Sequence, residues 1–358
     1  MENQVKRLST ILCRARDGLA IIAVAVAVAA PVPLHAEATP PVPLAILKQR
    51  YHRPDAVPFP PNNPFSAAKA DLGLSLFFDP RLSGPATMSC GTCHNPSMAW
   101  KDGLAVGVGS DAKPLARATP PIMNLAWGEL MMWDGRKDSL EDQATGPMIA
   151  AAEMNATLPE IMSRLSRMPL YRDKFQSAFG DEKITPERVS AAIATFERTV
   201  VSGKAPFDHW IDGDEAAIGD AAKRGFVLFN GPANCAACHS GWRFTDDGFH
   251  DIGLASTDPG RGAQLPGVAS LMHAFKTPTL RNIDQRAPYM HDGSVKTLAA
   301  VMRHYATGFL QRPSLSAEMH RLALSNQDVT DLVAFMHTLT SQDPAIKLPT
   351  LPTTEEEG

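Results

Sequence analysis

The sequence has few aromatic residues, no surplus of basic charge and very few cysteines, and each shortage excludes a class of protein. Aromatic residues make up 7% of the chain and no segment alternates like a half-buried strand, which disfavours a β-rich fold. The formal net charge is −4, so we expect no nucleic-acid partner. Beyond the first 36 residues, no apolar run approaches the length of a membrane span.

The first 36 residues have the pattern of a secretory signal. Four basic residues precede an apolar stretch at 18–34, and Leu34-His35-Ala36 offers a small-residue cleavage site. The alternative is an uncleaved membrane anchor, but Pro31 and Pro33 interrupt the stretch and leave it shorter than the roughly 20 residues of a span. We therefore predict a cleaved signal peptide, a periplasmic location and no membrane span in the mature chain.

The five cysteines are used in an unusual way. One, Cys13, lies in the signal, and the other four all belong to two C-x-x-C-H motifs, so none remains for a disulfide. In this motif the thiols form thioethers to haem vinyl groups and the histidine binds iron. An isolated C-x-x-C pair also suits zinc or redox exchange, but here both copies end in histidine. We predict two c-type haems attached at Cys90, Cys93, Cys235 and Cys238, with His94 and His239 as iron ligands.

Helical spacing of apolar residues dominates the rest of the chain, and its order is roughly duplicated. A helix, a haem motif, a long loop and further helices occur twice. The pattern predicts an all-α protein with two c-type cytochrome domains joined by long loops. The predicted parts are an extended lead-in (37–64), an N-terminal haem domain (65–201), a linker (202–214), a C-terminal haem domain (215–340) and a flexible tail (341–358).

The sixth ligand of each iron decides between an electron carrier and a catalyst. A filled position favours electron transfer, whereas an open position beside an acid or base allows a small oxidant to react. The residues alone leave many candidate ligands, and a lone methionine or histidine is more often a structural residue. The candidates are the methionines, the tyrosines and His52, His250, His291 and His304.

Several motifs resemble one known family. They are Leu76-Phe77-Phe78-Asp79-Pro80-Arg81-Leu82-Ser83, Trp133-Asp134-Gly135-Arg136, Gly146-Pro147, Glu153-Met154, Pro278-Thr279-Leu280-Arg281-Asn282 and Ala287-Pro288-Tyr289-Met290-His291-Asp292-Gly293. In this order they resemble the bacterial di-haem cytochrome c peroxidases over about residues 65–340. That family includes MauG-like enzymes, which oxidise residues of a partner protein.

The resemblance implies a role for each half of the chain. His94 would hold the peroxidatic haem and His239 the electron-transfer haem, with Trp133 as a relay between them. Gln143, Pro147 and Glu153 would line the distal pocket of the first haem. Glu153 is the candidate acid–base group, because splitting H2O2 needs a carboxylate that moves a proton between the two oxygens. Without the resemblance, Glu153 would be taken for a solvated carboxylate and Trp133 for a core aromatic.

Two departures from the classical members concern the irons. Their removable histidine on the first haem aligns with Ser110, and no histidine occurs between His94 and His209, so we expect a five-coordinate first haem without reductive activation. Their methionine on the second haem aligns with Tyr305, as in MauG-like proteins. An anionic phenolate favours Fe(III) and higher states. Met302, one helical turn away, is the rival ligand.

A third departure concerns calcium. Relatives bind Ca²⁺ between the haem domains through an asparagine side chain and backbone carbonyls. Ala118 stands at the asparagine position and Arg286 replaces a threonine, so a ligand is lost and a cation is gained nearby. We therefore expect two c-type haems; the resemblance leaves Ca²⁺ possible, but these two changes disfavour it.

The predicted function is a periplasmic di-haem peroxidase that reduces H2O2 through a high-valent di-haem intermediate. Its electrons would come from a periplasmic c-type cytochrome or, as in MauG-like enzymes, from residues of a partner protein. The alternative is a non-catalytic di-haem electron-transfer cytochrome with both irons six-coordinate.

Overall fold

The computed structural model describes residues 42–343 and 345–351, and this part of the chain is mostly helices and loops. Its α-helices are α1 (Leu44–Gln49), α2 (Ala67–Phe77), α3 (Cys90–Cys93), α4 (Leu140–Ala144), α5 (Gly146–Ile149), α6 (Leu158–Ser166), α7 (Pro169–Phe179), α8 (Pro186–Thr199), α9 (Pro206–Ile211), α10 (Asp220–Asn230), α11 (Leu298–Arg303) and α12 (Asn326–His337). Two-residue strands β1 (Phe249–His250) and β2 (Phe275–Lys276) pair antiparallel. The all-α prediction is confirmed.

The helix that precedes each haem motif is crossed by a later helix of the same half. In the first half α2 packs against α8, and in the second half α10 packs against α12. A Cβ at Gly73 would lie 2.0 Å from the Ala192 carbonyl oxygen, and a Cβ at Gly225 would lie 2.0 Å from the Asp331 carbonyl oxygen. Glycine therefore allows each pair of helices to touch through their backbones, and the duplication extends to packing.

Each crossing is surrounded by its own hydrophobic core. The first core includes Leu72, Leu76, Phe77, Phe175 and Phe196, and the second includes Phe207, Trp210, Phe226, Phe229 and Phe335. Burial of such side chains contributes about 1.5–3 kcal/mol each, so two separate cores stabilise two haem-bearing halves.

The segment predicted as a linker, 202–214, differs from that expectation. It contains α9, whose Phe207 and Trp210 are fully buried in the second core. Asp208 on the same helix forms a bidentate ion pair with the buried Arg281, with both N–O distances at 2.8 Å. Pro206 occupies the first helical position, where its missing N–H costs nothing, so it begins a helix instead of marking a loop.

The predicted lead-in and tail are also packed where they are described. Leu47 and Tyr51 join the second core, and Ile346 packs against the first. Ser341 is buried, and its amide donates to the Asn282 side chain (3.0 Å). The predicted signal peptide lies outside the described residues. Within those residues, no helix combines the length and apolar character that crossing a membrane requires.

Candidate functional site

A cavity of about 530 Å³ opens beside the first haem motif, a size typical of small-molecule and cofactor sites. Helices α4 and α5 and the turn after them form one wall of this first cavity. The predicted residues that line it are Cys93, His94, Trp133, Gln143, Pro147 and Glu153. Cys90 lies beside it, packed against the first core. The structure thus brings together residues from three separate stretches of the chain, 90–94, 133 and 143–153.

A second cavity, of about 180 Å³, lies beside the second haem motif. It is mostly apolar, as expected for a site that holds a large aromatic macrocycle. The predicted residues that line it are Trp133, Cys235, Cys238, His239, Met302 and Tyr305.

The two motif histidines are oriented as metal ligands. His94 donates from Nδ1 to the Trp100 carbonyl (3.3 Å), and His239 donates from Nδ1 to the Phe244 carbonyl (2.9 Å). In each ring Nδ1 therefore carries the hydrogen and Nε2 is the nitrogen that can bind a metal, which is the usual arrangement of an iron-ligating imidazole. The Pro120 carbonyl also lies near the His94 ring. Burial lowers the pKa of both histidines and favours the neutral form that binds metal. With four unpaired cysteines beside them, these residues fit two covalent haems.

Glu153 is held against the first cavity by its backbone. Its amide donates to the Ala150 carbonyl (2.9 Å), and its carbonyl accepts from the Ser110 amide (2.8 Å). Burial raises the pKa of the Glu153 carboxyl, and the nearby Arg136 acts in the opposite direction. The loop position that would carry a removable ligand is thus anchored to the backbone of Glu153, and Ser110 offers no imidazole.

Trp133 lines both cavities and is fixed by residues from both halves. Its Nε1 donates to the Ala118 carbonyl (2.8 Å), and its own carbonyl accepts from the Lys276 amide (2.8 Å). Lys276, Thr277 and Pro278 also line both cavities, so the wall between them is thin. Sequence reasoning missed this part of the wall because strand β2 is only two residues long.

Tyr305 and Met302 both face the second cavity. Met302 lies on α11, and Tyr305 lies on the π-helical turn His304–Gly308 that follows, a conformation frequent at functional sites. Burial raises the pKa of the Tyr305 hydroxyl. Nothing in residues 42–343 or 345–351 forms a hydrogen bond to this hydroxyl, which leaves its oxygen available as a ligand.

Comparison with known proteins identifies the family. A model for di-haem cytochrome c peroxidase matches residues 67–216, and a model for cytochrome c matches residues 222–340. Methylamine utilization protein MauG from Methylorubrum extorquens is 54% identical over 312 residues, which cover 86% of this chain and 88% of that protein. The chain belongs to the di-haem cytochrome c peroxidase family. The predicted resemblance is confirmed, and membership implies two c-type haems.

Further relatives of this di-haem oxidoreductase agree in sequence and fold. Cytochrome c551 peroxidase from Nitrosomonas europaea is 35% identical over 294 residues, covering 81% of this chain and 85% of that one. A MauG-like protein associated with microbial copper homeostasis superposes with a TM-score of 0.73 at 33% identity, over 81% and 95% of the two chains. The diheme peroxidase BthA from Burkholderia thailandensis shares the fold, with a TM-score of 0.68 at 24% identity over 78% and 87%.

The other candidate histidines of this di-haem protein divide into two groups. His52 is paired with the exposed Asp212, and His304 contacts the Ile252 carbonyl (2.8 Å); neither lines either of the two cavities described above. His250 and His291 do line the second cavity. His250 Nε2 lies 2.8 Å from an Asp246 carboxylate oxygen, which already provides a partner for that nitrogen.

The sequence predicts that the calcium site of the relatives is altered here. The same region contains Lys101, a residue that sequence reasoning missed. The Ala118 carbonyl is occupied by Trp133, and its side chain has no oxygen. The carbonyls of Arg286 and Pro288 both accept from the Lys101 ammonium, at 3.2 Å and 2.9 Å. No local pattern could have identified Lys101, because its partners lie in the other half of the chain.

Proposed function

We propose that this chain is a periplasmic MauG-like peroxidase that reduces H2O2 to two molecules of water, using two electrons and two protons. The observation that carries the proposal is the partly buried Glu153 carboxyl, which lines the same cavity as His94 and Gln143. The high identity to a MauG protein supports the MauG-like assignment. Export to the periplasm rests on the signal-like pattern of residues 1–36.

The side chains of the first cavity divide the proton chemistry between them. A bound haem supplies the redox-active iron at which the O–O bond of peroxide breaks. Glu153 accepts a proton from one peroxide oxygen and delivers it to the other, which leaves as water. Gln143 orients the peroxide by donating a hydrogen bond, and Pro147 shapes the same wall of the cavity.

The residues between the cavities serve electron transfer. Trp133 would relay electrons from the second site to the first, and the Tyr305 oxygen would hold the iron of a haem at the second site as a phenolate, losing its proton on binding. An anionic ligand stabilises oxidised iron, so both sites can share the two oxidising equivalents. The electrons come from a c-type cytochrome or from side chains of a partner protein.

Electron paramagnetic resonance of the oxidised protein tests the proposal. We expect a high-spin ferric signal from an open first haem, and its loss after one equivalent of H2O2. The competing function is a non-catalytic electron-transfer cytochrome, favoured by Met123, Met131 and Met132, which also line the first cavity and could fill the sixth position. Only low-spin signals, unchanged by peroxide, would support that alternative and refute ours.

A further inference from the structure

Lys101 is a buried cation that joins the two halves of the molecule. The residue is 5% exposed, and its Nζ donates to the carbonyls of Arg286 and Pro288 across 185 and 187 residues of sequence. Within residues 42–343 and 345–351, no carboxylate forms an ion pair with it. Burying a charge is costly unless its partners compensate, so these two carbonyls must hold the ammonium firmly.

On one side, Lys101 belongs to the loop that orients the first iron ligand. Trp100, the residue before it, provides the carbonyl that fixes His94 Nδ1. The Lys101 carbonyl accepts from the Asn95 amide (3.1 Å), which closes this loop immediately after His94. A displacement of the Lys101 backbone is therefore transmitted to the imidazole within one residue.

On the other side, the two acceptor carbonyls begin the segment 286–291. Tyr289, Met290 and His291 of this segment line the second cavity. The His291 carbonyl accepts from the Ala118 amide (2.7 Å), and the Ala118 carbonyl accepts from Trp133. The ammonium thus lies between the loop behind the first cavity and one wall of the second.

Two converging main-chain carbonyls are the kind of hard oxygen donors that also bind Ca²⁺. We propose that the Lys101 ammonium is a positioning residue that replaces a divalent cation at this point, holding segment 286–291 against the His94 loop. Burial lowers the pKa of Lys101 to about 8; Arg286 acts in the same direction and Asp102 opposes it. The side chain is therefore still mainly protonated at neutral pH. The inference depends on the proposed function only in assuming that both haems work together.

The test compares Lys101→Met and Lys101→Arg with a matched control, Lys69→Met. Lys69 is also buried and donates to a main-chain carbonyl, that of Pro64 (2.6 Å), and to Asn63 (2.7 Å), but all three residues lie in the first half. The readouts are the ferric electron paramagnetic resonance spectrum and the reduction potential of each haem. We expect Lys101→Met to alter the low-spin signal and potential of the second haem, Lys101→Arg to retain them, and Lys69→Met to leave the second haem unchanged.

The decisive part of the test is the addition of Ca²⁺ to a variant that lacks the ammonium group. In Lys101→Ala, added Ca²⁺ should restore the wild-type signal of the second haem, or the yield of two-haem protein if the variant otherwise matures poorly. Wild type should respond neither to Ca²⁺ nor to a chelator. Wild-type second-haem spectra in both Lys101→Met and Lys101→Ala, or loss of the wild-type signal on chelation, would overturn the inference. Because these are resting-state spectra, they are independent of whether peroxide reacts.

Discussion

At the scale of single residues, the acidity of Glu153 is set by two opposing influences. Burial raises the pKa of its carboxyl above the usual 4.5, whereas Arg136 limits that rise. A proton acceptor must be ionised before it can act, so the reaction with peroxide should accelerate as the pH rises through this raised pKa. At a pH below this pKa, the carboxylic acid is neutral and cannot accept a proton from the peroxide.

Replacing Glu153 with glutamine should slow the reaction with H2O2 by about 10²–10⁴-fold, because the amide keeps the shape but cannot accept a proton. The rise in rate with pH that is assigned to Glu153 should also disappear in this variant. Stopped-flow absorption at the haem bands across a pH series measures both effects. Glu182→Gln, a change at an exposed residue, provides the control. A wild-type rate in Glu153→Gln would remove this residue from the proton transfer.

Tyr305→Met should raise the reduction potential of the second haem by on the order of 100 mV, within the ~0.8 V range over which axial ligands tune haems. The reason is the loss of an anionic donor that favours oxidised iron. Spectroelectrochemical titration measures the shift. Met302→Leu serves as the matched variant and should leave the potential unchanged. An unshifted Tyr305→Met together with a shifted Met302→Leu would assign the ligand to Met302.

How far the sequence predicts a site residue depends on whether its signal is local. The haem cysteines and His94 belong to a five-residue motif, and their chemistry is readable from spacing alone. Trp133 could be proposed only through the family, because its position depends on Lys276 and Ala118, which are distant in sequence. Lys101 gives no signal, since its partners are main-chain carbonyls.

At the scale of elements, the helices with strong caps were predicted best. Thr185 followed by Pro186 is a helix-start signal in the sequence, and α8 begins at Pro186 with the Thr185 side chain as its cap. Helix α7 was missed because it begins at Pro169 without a side-chain cap and has a weakly amphipathic sequence. Helix α9 was missed because Gly203, Pro206 and Gly213 suggested a loop, whereas tertiary burial and the pair between Asp208 and Arg281 stabilise it.

The two glycine crossings lead to a prediction about stability. Gly73→Ala and Gly225→Ala should each destabilise the protein by about 1–3 kcal/mol, because the new methyl group would overlap a backbone carbonyl of the partner helix. Gly219→Ala is the control: no non-neighbouring atom lies within 4 Å of its added Cβ, and the change at this N-cap of α10 should cost no more than about 0.5–1 kcal/mol. Thermal unfolding of the holo-protein measures all three. If Gly73→Ala and Gly225→Ala had the same melting temperature as the control variant, the paired helices could move apart without any loss of stability.

At the scale of the whole molecule, the duplicated halves are not independent modules. Trp133 and residues 276–278 line both cavities, Arg117 pairs with Asp134 and Asp258 in opposite halves, and Lys101 holds segment 286–291. A change in one half therefore reaches the wall of the other site through direct contacts. Such an arrangement suits an enzyme in which two oxidising equivalents are divided between two haems, and a simple carrier has less need of it.

This shared architecture also bears on the source of electrons. If a partner protein supplies them, the two-electron-oxidised state must persist until that partner arrives, and a generic donor should react slowly. We expect steady-state turnover with reduced c-type cytochrome and H2O2 below ~1 s⁻¹, against the ~10 s⁻¹ of a typical enzyme. Glu153→Gln is the control for adventitious haem reactivity and should lower even this rate. Turnover at ~10 s⁻¹ or faster, abolished in Glu153→Gln, would make a cytochrome the natural donor and exclude a protein-modifying role.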